Sequence, residues 1–268
     1  MNLSLPFIKR PPLVAILPLN GMIGSGGRFG SGGLNDAALE PLIEKAFSKG
    51  KPAAVALAIN SPGGSPVQSS LIAARIRRLS EEKEVPVFAF VEDLAASGGY
   101  WLASAADEIY VDRASIVGSI GVIYAGFGFN SLMKRYGIER RVHTAGKDKS
   151  LLDPFRPERE EDVERLKRLQ AKVHDGFIAQ VKARRGDKLD TAADLFSGDV
   201  WVGEEAVALG LADGLGHLVP RMKERFGPKT RFTTHGRRRS FFARLGMRAM
   251  EDAAGLVEER ALWAQYGL

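Results

Sequence analysis

Apolar runs and helix-period segments alternate along the first hundred residues of the chain. Residues 13–19, 53–59 and 85–91 are continuous apolar stretches of strand length, which predicts buried β-strands. Between them, residues 35–48 show helical spacing, and residues 67–79 carry the i, i+3, i+4 apolar pattern of a helix packed on one face. A helix rich in small residues is expected over 97–106. Uninterrupted apolar strands need both faces covered, so this alternation predicts right-handed βαβ units around a mainly parallel sheet, an α/β fold. Farther along, residues 108–111, 121–124 and 138–144 read as short strands. Residues 158–184 read as a long charged helix with apolar positions at Val163, Leu166, Leu169 and Val173, expected to lie across the surface of the core. The glycine-punctuated stretch 198–216 predicts another strand and a short helix at 203–209.

A chain of 268 residues, 45% hydrophobic and 26% charged, has the composition of a soluble globular protein and can bury a full core. After Pro228 the composition turns basic and then helical, dividing the chain into a domain at 1–228 and an appended extension at 229–268. The net charge of +6 is concentrated there, at Arg237, Arg238, Arg239, Arg244 and Arg248. Such a patch suits anionic lipid, nucleic acid or simply a solvated helix face. With Phe241, Phe242, Leu245, Met250, Leu256 and Trp263 between the charges, the segment has the pattern of an amphipathic helix on a membrane surface or against another subunit. The apolar run at 13–19 is too short to cross a bilayer and contains Pro18, so it is expected to be the first strand of a cytosolic protein.

The absence of cysteine excludes a disulfide framework, a thiolate metal site and a cysteine nucleophile. His143, His174, His217 and His235 are scattered without metal-ligand spacing, so no metal is expected. The glycine-rich loop at 21–33 lacks the ending of a phosphate-binding loop.

Two glycine-bearing turns, NSPGGS at 60–65 and AASGGYWLA at 95–103, follow apolar strands, at the sheet edge where α/β proteins bind ligands. A serine entering a helix with glycines behind it, as Ser97 does, has amide donors that would stabilise an oxyanion above it. Serine is equally a common helix cap, and taken alone the motif favours that role. The PGG turn could supply a second donor or be an ordinary turn. A serine nucleophile needs a base, and no histidine falls in a strand-end loop. Lysine can serve if neutral, which takes burial costing about 3–5 kcal/mol. Of Lys147 and Lys149, the latter has the more apolar neighbours, Leu151 and Leu152, a slight local preference.

In this order, NSPGG, AASGGYWLASAAD, GSIGV, TAGKDKSLLDPFRPE and GDVWVGEEAVALGLADGLG resemble the signal peptide peptidase A (protease IV) family of serine peptidases, from about Val14 to about Leu218. The resemblance implies a Clp/crotonase-like fold and a Ser-Lys dyad with Ser97 as nucleophile and Lys149 as general base. Their 52-residue separation suits the short, single-domain form. It further implies backbone oxyanion donors at Gly64 and Gly98, and Ser119 orienting the lysine. No cofactor is implied. Expected substrates are apolar peptides such as remnant signal peptides, or membrane-associated and misfolded proteins. Val122, Ile123 and Tyr124 are candidates to line the groove or to belong to the core. A homo-oligomer in which each subunit completes its neighbour's site is implied as well. The expected location is cytoplasmic, with peripheral contact at the inner membrane through the tail, and no nucleic acid partner. The competing readings are a catalytically idle scaffold of this fold and a crotonase-like acyl-CoA enzyme, although no acyl-CoA phosphate clamp is visible.

Overall fold

A computed structural model describes residues 11–24, 33–146, 149–236, 260 and 262–268. The first half of the chain builds β1 (Leu13–Asn20), α1 (Asp36–Ser48), β2 (Ala54–Ser61), α2 (Pro66–Lys83), β3 (Val87–Ala96), α3 (Gly98–Ala103), β4 (Glu108–Val111) and β5 (Ile116–Gly118). The second half adds α4 (Asn130–Arg135), α5 (Glu160–Arg185), β6 (Val200–Val202), α6 (Gly203–Ala208), β7 (Gly214–Leu215), α7 (Leu218–Phe226) and β8 (Arg231–Thr234). Local signals fix the helix starts: the Asn35 side chain accepts from the Ala38 amide at 3.0 Å, and Ser65 caps α2 ahead of Pro66.

The sheet runs β6-β5-β3-β2-β1-β8, with β4 beside the first half of β3 and β7 outside β4. Every pairing is parallel except β5 with β6. Strand side chains alternate between two cores, as a pleated ribbon requires. Leu17, Leu57 and Ala89 face the larger core with α1, α2, α3 and α5. Val14, Ala56, Phe88 and Phe90 face the other side, where Met222 of α7 covers them. Burial on both faces is why these strands read as unbroken apolar runs.

Three expectations change. The strands expected at 121–124 and 138–144 do not form. Those residues lie on a largely exposed arm between β5 and α5, where no neighbouring strand supplies ladder partners. The sheet also continues past residue 228: β8 pairs with β1, and the His235 amide donates to the Ile16 carbonyl at 2.8 Å. The compositional boundary therefore falls inside the folded core. Finally, β5, α4 and α7 had no counterpart in the sequence pattern, the first because three residues are too few to show a period. The glycine-rich loop at 25–32 and the basic segment at 237–259 lie outside the described residues.

One charged clamp ties the end of α5 to the sheet. Asp213 accepts from Arg185 at 2.7 Å, from Lys188 at 2.6 Å and from the Ile109 amide at 2.7 Å. Burial pushes its carboxyl up, but these hydrogen bonds outweigh burial and hold it below the usual carboxylate range. The Arg185 side chain is 2% exposed, so losing its partner leaves a buried charge unpaired. Asp213→Asn is expected to lower unfolding free energy by about 3 kcal/mol at neutral pH in urea titrations. A depressed folded pKa contributes stability that is complete above the unfolded value, ~3.9, and is lost as pH falls through the lower folded value. The wild type should therefore lose more stability than the variant on going from about pH 5 to about pH 2.

Candidate active site

Ser97 sits at the elbow where β3 ends and α3 begins, with φ 50° and ψ −123°, a conformation that non-glycine residues rarely adopt. Its amide donates to the Gly118 carbonyl at 2.8 Å, and its carbonyl accepts from the Trp101 amide at 3.1 Å. The side chain makes no capping hydrogen bond. The helix-cap reading is thus set aside: the backbone holds the turn, and the hydroxyl is left facing a cleft of about 360 Å³.

The turn at 62–65 presses against this elbow. A Cβ on Gly63 would lie 2.8 Å from Ala96 O, Gly98 N and Ser97 Cβ, so only glycine permits the approach. The turn is clamped from its far side by Ile23, whose amide donates to Gly63 O and whose carbonyl accepts from the Ser65 amide, both at 2.7 Å. A Cβ on Gly64, at φ 138°, would collide with the Ile23 carbonyl. Neither clamp uses the Gly64 amide, and the Gly98 amide opens α3, where no helical acceptor exists. Both amides are free of backbone partners among the described residues, one directly after Ser97 and one in the turn pressed against its elbow. Two such donors flanking a serine hydroxyl can bind an oxyanion.

Ser119 completes the floor, also at positive φ (51°). Its amide donates to Asp199 O at 2.6 Å, and the next carbonyl, Ile120 O, lies 2.9 Å from His174 Nε2 on α5. Ser97, Gly64 and Ser119 thus share one cleft with Val122 and Ile123. Ile123 is 81% exposed and so is no core residue, whereas Tyr124 lines a separate cleft at the base of the arm. Lys149 is not brought in: it is exposed, lies in a turn of the arm and is not part of the cleft wall. Lys147 falls outside the described residues.

Sequence reasoning missed the groups that hold the site. Asp199 through its carbonyl and His174 through its ring nitrogen hold backbone atoms of the Ser119 turn, a role that leaves no motif, although Asp199 stands in the GDVWV stretch. Tyr266 donates its hydroxyl to Ser119 Oγ at 3.2 Å, an approach across 147 positions that spacing alone does not reveal. Among the described residues no cluster of three or more His, Cys, Asp or Glu could hold a metal ion, and no helix is long and apolar enough to cross a membrane.

The sequence pattern of the family described as peptidase family S49 matches residues 80–224, more than half of the chain. Over 95% of its length the chain is 47% identical to the Na(+)/H(+) antiporter NhaA of Brucella melitensis, of which it covers 37%. It is 30% identical to a putative protease of Synechocystis over 76% of this chain and 69% of that one. With the chloroplastic serine protease SPPA of Arabidopsis thaliana it shares 34% identity over 67% of its own length and 27% of the other. The chain thus spans about a third of the antiporter-named relative. Among solved structures, a membrane-bound stomatin-specific protease in complex with a substrate peptide superposes with a TM-score of 0.54 at 16% identity, covering 88% of this chain and 96% of that one. This likeness, in a parallel-dominated sheet, is one of fold.

The arm that carries Lys149 is held by a compact clasp. Asp153, its side chain 5% exposed, accepts from Arg140 at 3.1 Å, while Arg140 also lies 4.6 Å over the Phe155 ring. The Phe129 amide donates to Pro154 O at 2.6 Å. Asp153→Ala is expected to speed trypsin cleavage within residues 122–159 several-fold, with the thermal midpoint of the core unchanged.

Proposed function

The chain belongs to peptidase family S49, and on that premise we propose that it hydrolyses peptide bonds in apolar segments through a Ser97–Lys149 dyad. The carrying observation is Ser97 on a strained elbow, its side chain making no capping hydrogen bond, beside two amides without backbone partners among the described residues. Strain of this kind, worth about 1–3 kcal/mol per residue, persists where the surroundings over-determine it, typically at functional sites.

In the proposed reaction, the neutral Lys149 amine takes the Ser97 Oγ proton as Oγ bonds to the scissile carbonyl carbon. The carbonyl oxygen becomes an oxyanion held by the Gly64 and Gly98 amides. Collapse breaks the C–N bond, the lysine returns its proton to the leaving amine, and an ester remains on Ser97. Water, deprotonated by the same lysine, then releases the acid and regenerates the hydroxyl. Val122 and Ile123 give the cleft an apolar wall, which suits an apolar peptide. Remnant signal peptides and membrane-associated proteins are the classes we favour.

Lys149 must travel to a cleft from the arm. Phe127, Leu132, Tyr136 and Ile138 are exposed on that arm, an apolar surface of the sort an interface covers. We take the active form to be a homo-oligomer in which the arm of one copy delivers Lys149 to the Ser97 cleft of the next, and the apolar cover desolvates the amine. The placement of Lys149 outside the cleft also favours a second reading, a catalytically idle scaffold. Ion transport is named for the longer relative. Nothing in the geometry of this cleft serves that activity.

Casein and fluorogenic-peptide cleavage separate the readings. Ser97→Ala and Lys149→Ala should each fall by roughly three orders of magnitude or more while remaining folded. Mixed in equal amounts and reassembled, the two inactive variants should recover about a quarter of wild-type activity, because one pairing in four unites an intact serine with a neighbour's intact lysine. Undiminished activity in Lys149→Ala refutes the base. No cleavage by the wild type under any assembly condition leaves the scaffold reading.

A further inference from the structure

Ser61, the last residue of β2, is fully buried, and its hydroxyl has a partner in each of its roles. Oγ donates to the Gly21 carbonyl at 2.7 Å and accepts from the Gly63 amide at 3.2 Å. The strand ladder carries it close to the nucleophile. β2 and β3 pair as far as Ile59 and Val91, shift register, and pair again at Ser61 and Ala95, two residues before Ser97. Behind it stands the start of α3, where a Cβ on Gly99 would come within 2.5 Å of Ser61 O. One hydroxyl therefore sits where the exit of β1, the glycine turn and α3 meet.

What that hydroxyl controls follows from peptide geometry. Ser61, Pro62, Gly63 and Gly64 make a turn with proline second and a glycine at φ 100° third, the arrangement of a type II turn. The Pro62–Gly63 peptide at its centre is free to flip, because glycine accepts either sign of φ. Its N–H is the group that Ser61 holds, through the bond serine makes to the backbone two residues ahead. The next peptide is trans and planar, so the Gly63 carbonyl and the Gly64 N–H point in opposite directions. The Ile23 amide takes that carbonyl at 2.7 Å. The Gly64 amide is thereby turned toward Gly98, and its nitrogen lies 3.4 Å from where a Cβ on Gly98 would stand. Both peptides flanking Gly63 are pinned, one by Ile23 through backbone and one by Ser61 through a side chain.

We propose that Ser61 is a positioning residue for acyl transfer: by holding the Gly63 amide it stops the Pro62–Gly63 peptide from flipping, and so keeps the Gly64 amide aimed at the oxyanion formed when Ser97 attacks. This deepens the peptidase reading and rests on it. Ser61 touches no reacting atom. A neutral substrate carbonyl gains little from the alignment of that donor and the developing oxyanion gains most, so the effect falls on kcat and not on KM.

The test compares Ser61→Ala and Ser61→Cys in the full-length chain. Cysteine keeps the volume but makes only weak hydrogen bonds, which separates the bond from the packing. If the alanine variant fails to fold, the cysteine variant carries the comparison. Both should lose kcat for a fluorogenic apolar peptide by roughly ten- to a hundredfold, less than deletion of a donor, with KM within about twofold. Fluorophosphonate labelling of Ser97 should slow in proportion. Affinity for the uncleaved peptide, measured in Ser97→Ala with and without the Ser61 change, should stay within about twofold. Independently of turnover, amide hydrogen exchange at residues 61–65 should quicken by roughly tenfold while residues 54–59 stay protected. Wild-type kcat in either variant overturns the proposal, as does a loss of affinity as large as the loss of kcat, or unchanged exchange at 61–65. If Ser97→Ala hydrolyses as fast as the wild type, the peptidase reading fails instead, and the exchange measurement still decides whether Ser61 holds the turn.

Discussion

The hydrogen bond from the Ser97 amide to the Gly118 carbonyl is the constraint on which the site depends. It joins the end of β3 to β5, and it can do so because β4 stops at Val111 and leaves the last residues of β3, Leu94 to Ala96, to pair with β5. One long strand thus serves two short neighbours in succession, and the chain turns out of the sheet where the second begins. The positive φ of Ser97 is unfavourable by itself. It is held by this bond, by the buried helix α3 behind it and by the glycine turn pressed against it. Rigidity here comes from the sheet, so the hydroxyl and the neighbouring amides are in place before any ligand arrives.

The remainder of the molecule contrasts with that rigidity. Between Gly121 and Arg159 the chain leaves the core, exposes large apolar side chains and is organised by one buried carboxylate, Asp153, and a stack of Phe129 on Phe155. A clasp of this kind fixes the internal shape of the arm without fixing its position on the body. Two sorts of order therefore coexist: donors set by packing on both faces of a sheet, and a lysine set by a local ion pair on an exposed lobe. In the dyad proposed above, serine and lysine would meet between subunits and not inside one.

How much could be read in advance follows the same division. The three central strands were legible because burial on both faces makes their sequences uniformly apolar, and α1 and α2 because they bury one face only. β5 was too short to show a period, and the strands expected on the arm failed because an apolar run predicts burial, not the partner that supplies it. Local chemistry at Ser97 pointed to a cap, since serine before a helix usually is one. The strained backbone that excludes this role is a property of tertiary contacts. The PGG turn was legible as a candidate, but its closeness to Ser97 depends on Ile23, forty residues upstream. Lys149 was favoured over Lys147 only slightly by its neighbours, and the contact of Tyr266 with Ser119 joins segments that no pattern links.

The end of the chain has a consequence best expressed as concentration. Residues 262–268 follow β8, which ends at Thr234, after the 27 residues 235–261. A ligand attached by a linker of a few tens of residues is presented to its site at an effective concentration on the order of a millimolar, and dilution does not lower it. The contact of Tyr266 with Ser119 therefore keeps its strength whatever the amount of protein present, whereas any contact between copies weakens on dilution.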